Sequence, residues 1–465
     1  MKNNDYQIPT RPLLGGHDPL GKVYDYGDKI IRQIEPLCFD QVSHIYILYL
    51  KHKLSSVGLV NTTINRRKKQ LIHKKHVISY PHEWTYSMFK DSILFQLKLV
   101  QKLDHYGLTL KDFLPNNVVY NYSNPIFVDF LSLISKGELR KEKWLYVGVA
   151  NQDISPHKLL ISKMFTPYLL IPLFIYAKKN YSSGRTILET KVCNLGNGMP
   201  TWGDVILGGT WKLDSLLLAT KSIWLNIFSR GKYLDIIKKY IDIVNTLDVR
   251  DSHSAYLTYY QAKGEEYSLK SQKLWKKKQK NIYQIIHSLK PKTTLDIGAN
   301  TGWYSSLAER EGSTVIATDV DEGTIDALYQ NVKKFGLKIL PLVLPFSAFI
   351  KPSNTKAYLP TITRFRSDLV MCLALIHHLV LGQGESVEKI IDVLASLSKK
   401  VVILEFVDIN DEKIQEDPSF FPQIEGPASR MYKLDIVVEI AKKYFSKIDI
   451  MDSTESSRKL LILYH

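Results

Sequence analysis

The chain is poor in cysteine, with three in 465 residues: Cys38, Cys193 and Cys372. They are scattered and odd in number, so they exclude a disulfide framework and the paired spacing of a zinc site. We therefore expect a reducing compartment and a cytoplasmic location. Residues 1–16 contain no apolar run, and for that reason no secretory leader is expected.

Long hydrophobic runs are also scarce. The most apolar stretch, Met164–Ala177, contains Pro167 and Pro172. It is shorter than the roughly 20 residues that a membrane-spanning helix needs. The sequence therefore predicts no transmembrane segment here, but a buried helix or a hydrophobic docking surface.

The net charge of +16 is unevenly placed. Residues 271–465 hold 26 basic and 23 acidic side chains, whereas the first 270 residues hold 36 and 23. A basic patch of this kind can attract nucleic acid or an anionic membrane. However, the runs Arg66–Lys69 and Lys74–Lys75 lack the interleaved aromatics that stack on bases, and Lys276–Lys278 looks like a solvated helix face. Nucleic acid is therefore not favoured as a partner.

Residues 293–304 read Thr-Thr-Leu-Asp-Ile-Gly-Ala-Asn-Thr-Gly-Trp-Tyr. The pattern predicts a strand ending at Asp296, a turn holding Gly298 and Gly302, a helix over 305–311 and a second strand ending at Asp319. Such a unit brings backbone N–H groups and two carboxylates to one small ligand. An acid at the end of the second strand can accept both hydroxyls of a ribose. The run lacks the G-x-G-x-x-G of dinucleotide-binding loops.

The rest of the C-terminal part alternates strand and helix patterns. Strands are predicted at 337–344, 368–374, 401–406, 448–451 and 460–464, and helices at 322–335, 387–397 and 434–445. This alternation predicts an α/β fold with a mostly parallel sheet that is covered on both faces. The last two strands have a short link, so they must be antiparallel.

The run D-x-G-x-N-x-G resembles motif I of class I S-adenosylmethionine-dependent methyltransferases. The resemblance covers 270–465 and implies a Rossmann-like, seven-stranded domain with S-adenosylmethionine as cofactor. It implies that the cofactor-binding residues are Asp296, Gly298, Asn300, Gly302, Asp319 and Leu375, with Asp321 nearby. The implied reaction is methyl transfer to an oxygen or nitrogen nucleophile.

The turn after the fourth strand borders the acceptor in such enzymes. It lacks the [D/N/S]-P-P-[Y/F/W] run of enzymes that methylate base amino groups, so that reaction is disfavoured. His377 or His378 is the candidate catalytic base; alternatively, one histidine packs and the other is solvated. The third strand is followed by Ser347 rather than by the acid that commonly contacts adenine. Glu405 has two open interpretations, a substrate ligand or a strand-end salt bridge.

The N-terminal part resembles the catalytic and metal loops of the kinase-like fold. Leu110-Lys111-Asp112, Asn117 and Asp129-Phe130 have the matching spacing. The resemblance implies Asp112 towards an acceptor hydroxyl, and Asn117 and Asp129 on Mg²⁺. The sequence departs from the kinase pattern at several points: Leu110 replaces the His, Leu131 replaces the Gly after Phe130, and the glycine loop is missing. No lysine of the usual kind stands out, and Lys29 and Arg32 are the candidates for its place. The alternative is a strand–turn–strand in which Asp112 caps a turn.

We therefore predict three regions: an α+β region with kinase-like features over 1–134, a helical region and connector over 135–269, and a methyltransferase domain over 270–465. The runs Tyr80-Pro-His-Glu-Trp, Leu108-Thr-Leu-Lys-Asp and Phe127-Val-Asp-Phe precede the Leu295–Trp303 run. In this, nearly the whole chain resembles bacterial methyltransferase-like proteins with a long N-terminal region. The acceptor is expected to be a small molecule, a saccharide or a protein, selected by the N-terminal region. The alternative function is a non-catalytic binding or regulatory protein with degenerate methyltransferase and kinase-like domains.

Overall fold

The computed structural model describes residues 20–149, 153–178, 181–189, 233–248, 269, 272–350 and 359–465. The chain divides into two compact units, Met1–Asp251 with Thr355–Tyr358 and Ser252–Asn354 with Leu359–His465. The finer boundaries after 134 and 269 stay predictions. Cys193 lies outside the described residues. The same holds for three features of the sequence: residues 194–209, whose turn-rich composition predicts a loop, the apolar run 216–228, and all but the last residue of the tyrosine-rich stretch 253–269.

The first unit begins with an antiparallel sheet in the order β1-β2-β4-β3. Its strands are β1 (Gly21–Tyr26), β2 (Lys29–Ile34), β3 (Thr62–Asn65) and β4 (Gln70–Lys74). Strands β1 and β2 form a hairpin, and Gly27 supplies the positive φ (64°) of its turn. Helix α1 (Phe39–Lys51) follows β2.

The next long helix, α2, spans Tyr86–Asp104. It begins at Tyr86 because the Thr85 side chain accepts a hydrogen bond from the Met88 N–H and so caps the helix. Four short strands follow: β5 (Leu108–Leu110), β6 (Val118–Asn121), β7 (Asn124–Phe127) and β8 (Leu133–Ser135). β5 pairs with β8 and β6 pairs with β7, both antiparallel.

The apolar stretch forms a longer helix than the sequence predicted. Helix α3 (Pro156–Leu160), a π-helix (Ile161–Leu170) and α4 (Ile171–Lys178) are continuous. Pro156–Ala177 is long and apolar enough to cross a membrane by length and composition, so the length argument was wrong. The π-helical stretch accommodates Pro167, which would break an α-helix. Of its most apolar window, 83% is buried inside the protein, which agrees with a buried helix.

Two further helices complete the described part of the first unit, α5 (Tyr181–Ile187) and α6 (Tyr233–Thr246). The Tyr86 hydroxyl, at the start of α2, donates to the carbonyl of Leu247 just after α6. The rings of Tyr86 and Tyr176 lie 5.6 Å apart, between α2 and α4. These contacts show that the helical segments pack against α2 within one core.

The second unit contains a seven-stranded sheet in the order β11-β10-β9-β12-β13-β15-β14. The strands are β9 (Thr293–Ile297), β10 (Thr314–Asp319), β11 (Ile339–Val343), β12 (Ser367–Cys372), β13 (Ser398–Val407), β14 (Lys447–Asp452) and β15 (Arg458–Tyr464). β15 is antiparallel to both of its neighbours, and the other recorded pairings are parallel. Every residue of β11 and β12 is buried, which means that both faces are covered there.

The helices of this unit are α7 (Lys277–Leu289), α8 (Trp303–Arg310), α9 (Glu322–Phe335), α10 (Ser347–Ile350), α11 (Thr361–Phe365), α12 (Val387–Leu397), α13 (Glu412–Glu416), α14 (Pro427–Arg430) and α15 (Leu434–Ala441). Four of them were predicted: α8, α9, α12 and α15, of which α15 ends at Ala441 rather than at 445. The bounds of α9 and α12 agree with the prediction. Asp321 and Ser386 cap these two helices, which fixes where each begins.

Candidate functional site

The loop between β9 and α8 is built around three residues with positive φ. Gly298 and Gly302 have φ of 77° and 80°, and Asn300 between them has φ of 51°. The N–H groups of Gly298 and Ala299 both donate to the carbonyl of Thr318 on the neighbouring strand. This pinched turn keeps the loop at the carboxyl edge of the sheet, where open α/β sheets bind ligands.

Asp319, at the end of β10, is joined to this loop. Its Oδ2 accepts a hydrogen bond of 2.8 Å from the N–H of Asn300, and its Oδ1 accepts one of 3.0 Å from the N–H of Asp321. Burial raises the pKa of Asp319, against the effect of these hydrogen bonds. The loop and the acid of the second strand therefore converge, as the sequence predicted. Asp321 caps α9 through the Thr324 N–H.

Asp296 is buried behind the carboxyl edge of the sheet and does not face solvent. It is 2% exposed, and its Oδ2 accepts a hydrogen bond of 2.6 Å from the Ser305 hydroxyl on α8. Burial raises the pKa of Asp296 to about 6, while the Ser305 hydrogen bond opposes the rise. Near pH 7 the group therefore carries a negative charge that its surroundings compensate only in part.

The turn after β12 brings Leu375 against the loop. Ala374 has a φ of 50°, a conformation that residues with a side chain rarely adopt and that clusters at functional sites. The Leu375 side chain lies in van der Waals range of Gly298, 3.4 Å from the position of a β-carbon there. Leu375 therefore lies against the glycine loop, and its contact with the cofactor stays a prediction.

His377 and His378 form an aromatic cluster with Phe421. The two imidazoles lie 4.2 Å apart, and the Phe421 ring lies 5.7 and 5.2 Å from them. Burial lowers the pKa of His377 to about 3 and also lowers that of His378, so both are neutral near pH 7. Nδ1 of His377 is buried and accepts or donates no hydrogen bond within the described part of the chain.

Glu405 forms an ion pair with Lys278. Lys278 Nζ lies 2.5 Å from Glu405 Oε2, and the Ser453 hydroxyl donates to Oε1 at 2.6 Å. Glu405 is fully buried, and the Lys278 side chain is 15% exposed. The expectation that Lys276–Lys278 is a solvated face is therefore wrong for Lys278: a buried carboxylate holds its ammonium. Of the two interpretations of Glu405, a salt bridge is what the structure contains.

None of the residues that directly follow β11, from Leu344 to Ser347, has a carboxylate side chain. The strand ends at Val343, and the Leu344 N–H donates to the Asp319 carbonyl. Ser347 is exposed at the start of α10. The structure therefore agrees with the sequence, in which Ser347 follows the third strand instead of the acid that commonly contacts adenine.

The kinase-like residues of the first unit also lie together. Asn117 Nδ2 donates to Asp112 Oδ1 at 2.5 Å, and the Ser132 hydroxyl donates to the same oxygen at 3.1 Å. Arg32 on β2 forms an ion pair of 2.8 Å with Asp129. Of the two cations that the sequence offered, Arg32 is the one that meets Asp129. Among the described residues, no cluster of three or more metal-binding side chains is found.

Several residues at the edge of the second sheet were missed from the sequence. Ser305 and Tyr304 belong to a generic helix pattern, Phe421 lies in an irregular segment, and Lys278 was hidden within a lysine run. No spacing rule signals them, because their partners lie between 9 and 127 residues away in the chain.

Comparison with known proteins gives one relative over most of the chain. The chain is 24% identical over 455 residues to nodulation protein NoeA of Rhizobium meliloti (strain 1021), covering 88% of this chain and 87% of the relative. No family model matches the sequence.

Among solved structures, the chain is similar to magnesium protoporphyrin IX methyltransferase (ChlM) from Synechocystis PCC 6803, at 15% identity and a TM-score of 0.29 over 40% of this chain and 83% of that one. A putative O-methyltransferase from Klebsiella pneumoniae has 11% identity and a TM-score of 0.29, over 46% and 91%. Monomeric WbdD has 16% identity and a TM-score of 0.29, over 40% of each chain.

These TM-scores are too low to assign a fold. The chain itself shows a mixed α/β unit with three notable features: the strand order with an antiparallel β15, the glycine-pinched loop after β9 and the acid that ends β10. These are features that the sequence resemblance to class I S-adenosylmethionine-dependent methyltransferases implied for residues 270–465.

Proposed function

We propose that the chain transfers the methyl group of S-adenosylmethionine to an oxygen or nitrogen of an acceptor. One observation carries the proposal: the Asn300 N–H lies 2.8 Å from Asp319 Oδ2. It joins a glycine-pinched loop and a strand-end acid at the carboxyl edge of one parallel sheet. A nucleoside with an aminoacyl tail needs both elements side by side.

The residues at this edge fit such a cofactor. Each Asp319 oxygen accepts one backbone hydrogen bond, and a carboxylate has about four acceptor sites, so the ribose hydroxyls have acceptors left. The loop of Gly298, Asn300 and Gly302 would hold the aminoacyl part, with Asp296 buried behind it. Leu375 would pack against the cofactor from the turn after β12.

The proposed role of His377 and His378 is to orient the acceptor. S-adenosylmethionine supplies an activated methyl group, so alignment of the nucleophile is the main task left to the protein. A neutral imidazole can accept a hydrogen bond from a hydroxyl or amine. The free Nδ1 of His377 supports this role, whereas its lowered pKa makes it a weak base.

Cofactor binding is tested by calorimetry with S-adenosylmethionine. We expect a sub-millimolar dissociation constant for the wild type and loss of binding in Asp319→Ala, because the ribose loses its acceptor. Asp392→Ala, which removes an exposed carboxylate of α12, is the matched control and should bind as the wild type does. No binding heat from the wild type at high cofactor concentration would contradict the proposal.

A second candidate function is nucleotide-dependent phosphoryl transfer in the first unit. The Arg32–Asp129 ion pair and the Asn117–Asp112 hydrogen bond favour it, because they gather the loop carboxylates beside a cation. Asn117 and Asp129 would then hold Mg²⁺, and Asp112 would face the acceptor hydroxyl.

This candidate predicts Mg²⁺-dependent ATP binding that is lost in Asp129→Ala and kept in Asp40→Ala, an exposed carboxylate on α1. Equilibrium dialysis with labelled ATP, with and without Mg²⁺, measures it. Absence of nucleotide binding by the wild type removes the candidate.

A non-catalytic regulatory protein is the alternative to both enzymes. It predicts cofactor binding without methyl transfer to any fraction of a cell extract when the methyl group is radiolabelled. A labelled product would instead identify the acceptor, whether small molecule, saccharide or protein. Selection of that acceptor by the first unit, and a cytoplasmic location, stay predictions.

A further inference from the structure

Lys278 lies at the carboxyl edge of the second sheet, and no motif in the sequence gives it a role there. Its Nζ lies 2.5 Å from Glu405 Oε2 at the end of β13 and 5.2 Å from the ring centroid of Tyr304 in the first turn of α8. Tyr304 follows Gly302 by two residues. The ammonium is therefore held beside the end of the glycine loop.

The start of α7 is fixed in this place by aromatic packing. Trp275, just before α7, makes an edge contact with Trp303 at 5.4 Å between ring centroids, and Trp303 begins α8. The charge of Lys278 is felt by both Asp296 and His377. Lys278 thus lies among the ends of β9, β12 and β13, where the aminoacyl end of the cofactor would lie.

The side chains at this edge of the sheet are mostly acidic, so a carboxylate of the cofactor would need a cation there. The aminoacyl end of S-adenosylmethionine carries a sulfonium, an ammonium and a carboxylate. Asp296 and Glu405 suit the two cationic groups but repel the carboxylate. A buried carboxylate is stable only where a cation or several N–H donors face it.

We propose that Lys278 binds the α-carboxylate of S-adenosylmethionine, an assignment that rests on the proposed methyl transfer. The ammonium has three N–H donors, and Glu405 takes one of them. Glu405 keeps the side chain in place in the free protein, and the remaining donors are available to the ligand. Charge-assisted hydrogen bonds of this kind are the stronger ones in proteins.

The test compares S-adenosylmethionine with decarboxylated S-adenosylmethionine, which keeps the sulfonium and the amine. The wild type should bind the decarboxylated compound at least about tenfold more weakly, as expected for loss of a charged hydrogen bond. In Lys278→Met, the affinity for S-adenosylmethionine should fall by a similar factor, and the two compounds should bind almost equally. Lys277→Met is the control, because Lys277 pairs with Asp452 on the exposed surface, and it should keep the wild-type preference.

Lys278→Met leaves the buried Glu405 without its cation, which can destabilise the fold. The double variant Lys278→Met with Glu405→Gln removes both charges and should fold while still failing to distinguish the two compounds. A wild-type preference that survives in either variant overturns the role of Lys278 alone. If the wild type binds neither compound, the proposed function fails, and this assignment fails with it.

Discussion

At the scale of single residues, the glycines of the second unit have different reasons to be glycine. Gly302 and Gly336 both have positive φ, at 80° and 65°. A β-carbon at Gly302 would lie 2.5 Å from Leu328 Cδ1, whereas nothing lies within 4 Å of one at Gly336. A residue with a side chain would strain the backbone at both positions, but only at Gly302 would its β-carbon also clash with a neighbouring side chain.

Gly302→Ala should therefore destabilise the protein more than Gly336→Ala. We expect about 1 kcal/mol for the strained φ at either site, and about 1 to 3 kcal/mol more at Gly302 from displacing the buried Leu328. Chemical denaturation followed by tryptophan fluorescence measures both. Equal losses would mean that Leu328 moves aside without cost.

A second residue-scale prediction concerns the buried Asp296, whose pKa is raised to about 6 by burial. Because the folded state holds the proton more tightly than the unfolded state, stability falls as the pH rises from about 4 to about 6. Asp296→Asn removes this cost and should gain about 2 to 3 kcal/mol over the wild type between pH 4 and pH 8.

Unfolding midpoints of both proteins over that pH range, without cofactor, measure the difference. Asp392→Asn, on the exposed face of α12, should follow the wild-type curve. If the difference in stability between Asp296→Asn and the wild type does not change with pH, then ionisation of Asp296 does not destabilise the folded protein.

At the scale of elements, the segment Asp408–Lys433 between β13 and α15 is fastened at both ends. Arg458 on β15 donates from Nε and from its terminal nitrogen to the two Asp411 oxygens, each at 2.8 Å. The Tyr432 hydroxyl donates to the Val407 carbonyl. In the middle of the segment, Phe421 packs against His377 and His378. The segment therefore supports the histidine turn.

Arg458→Met should release the first turn of this segment. Burial alone would raise the pKa of Asp411, but hydrogen bonds from Arg458 and Ser457 hold it at about 2. The pair therefore stabilises the fold above the ordinary carboxyl pKa and is lost as the pH falls towards 2. At pH 7, we expect chymotrypsin to cut at 420–432 several-fold faster in the variant.

The exposed Arg430→Met is the control for this experiment and should leave the cleavage rate unchanged. Peptide mapping by mass spectrometry locates the cuts. If Arg458→Met is as resistant as the wild type, the packing of Phe421 and Tyr432 holds the segment without the ion pair.

At the scale of the whole molecule, the two compact units are expected to unfold as separate transitions in calorimetry. S-adenosylhomocysteine should raise one of them, because a ligand stabilises only the unit that binds it. At 100 times the dissociation constant, the gain is about 2.7 kcal/mol. Asp319→Ala should remove the shift and so assign the transition to the second unit. Equal shifts of both transitions would show that the units unfold together.

Much of the second unit could be predicted from sequence because its signals are local. Caps, glycine positions and apolar periodicity lie within one element, and they gave β9, β10, α9 and α12 with small errors. The length of the apolar helix was misjudged because the apolar run was counted from Met164, whereas the helix begins at Pro156 and includes the polar side chains of Lys158 and Lys163.

The sequence alone determined the alternation of strands and helices, the glycine loop and the acid that ends β10, since each depends on neighbouring residues. Tertiary structure alone decided that Lys278 meets Glu405, that Arg32 rather than Lys29 meets Asp129, and that Phe421 covers His377 and His378. The partners in these pairs lie 43 to 127 residues apart in the chain. Their pairing depends on strand order and burial, because a charge or ring finds its partner only after the sheet has assembled.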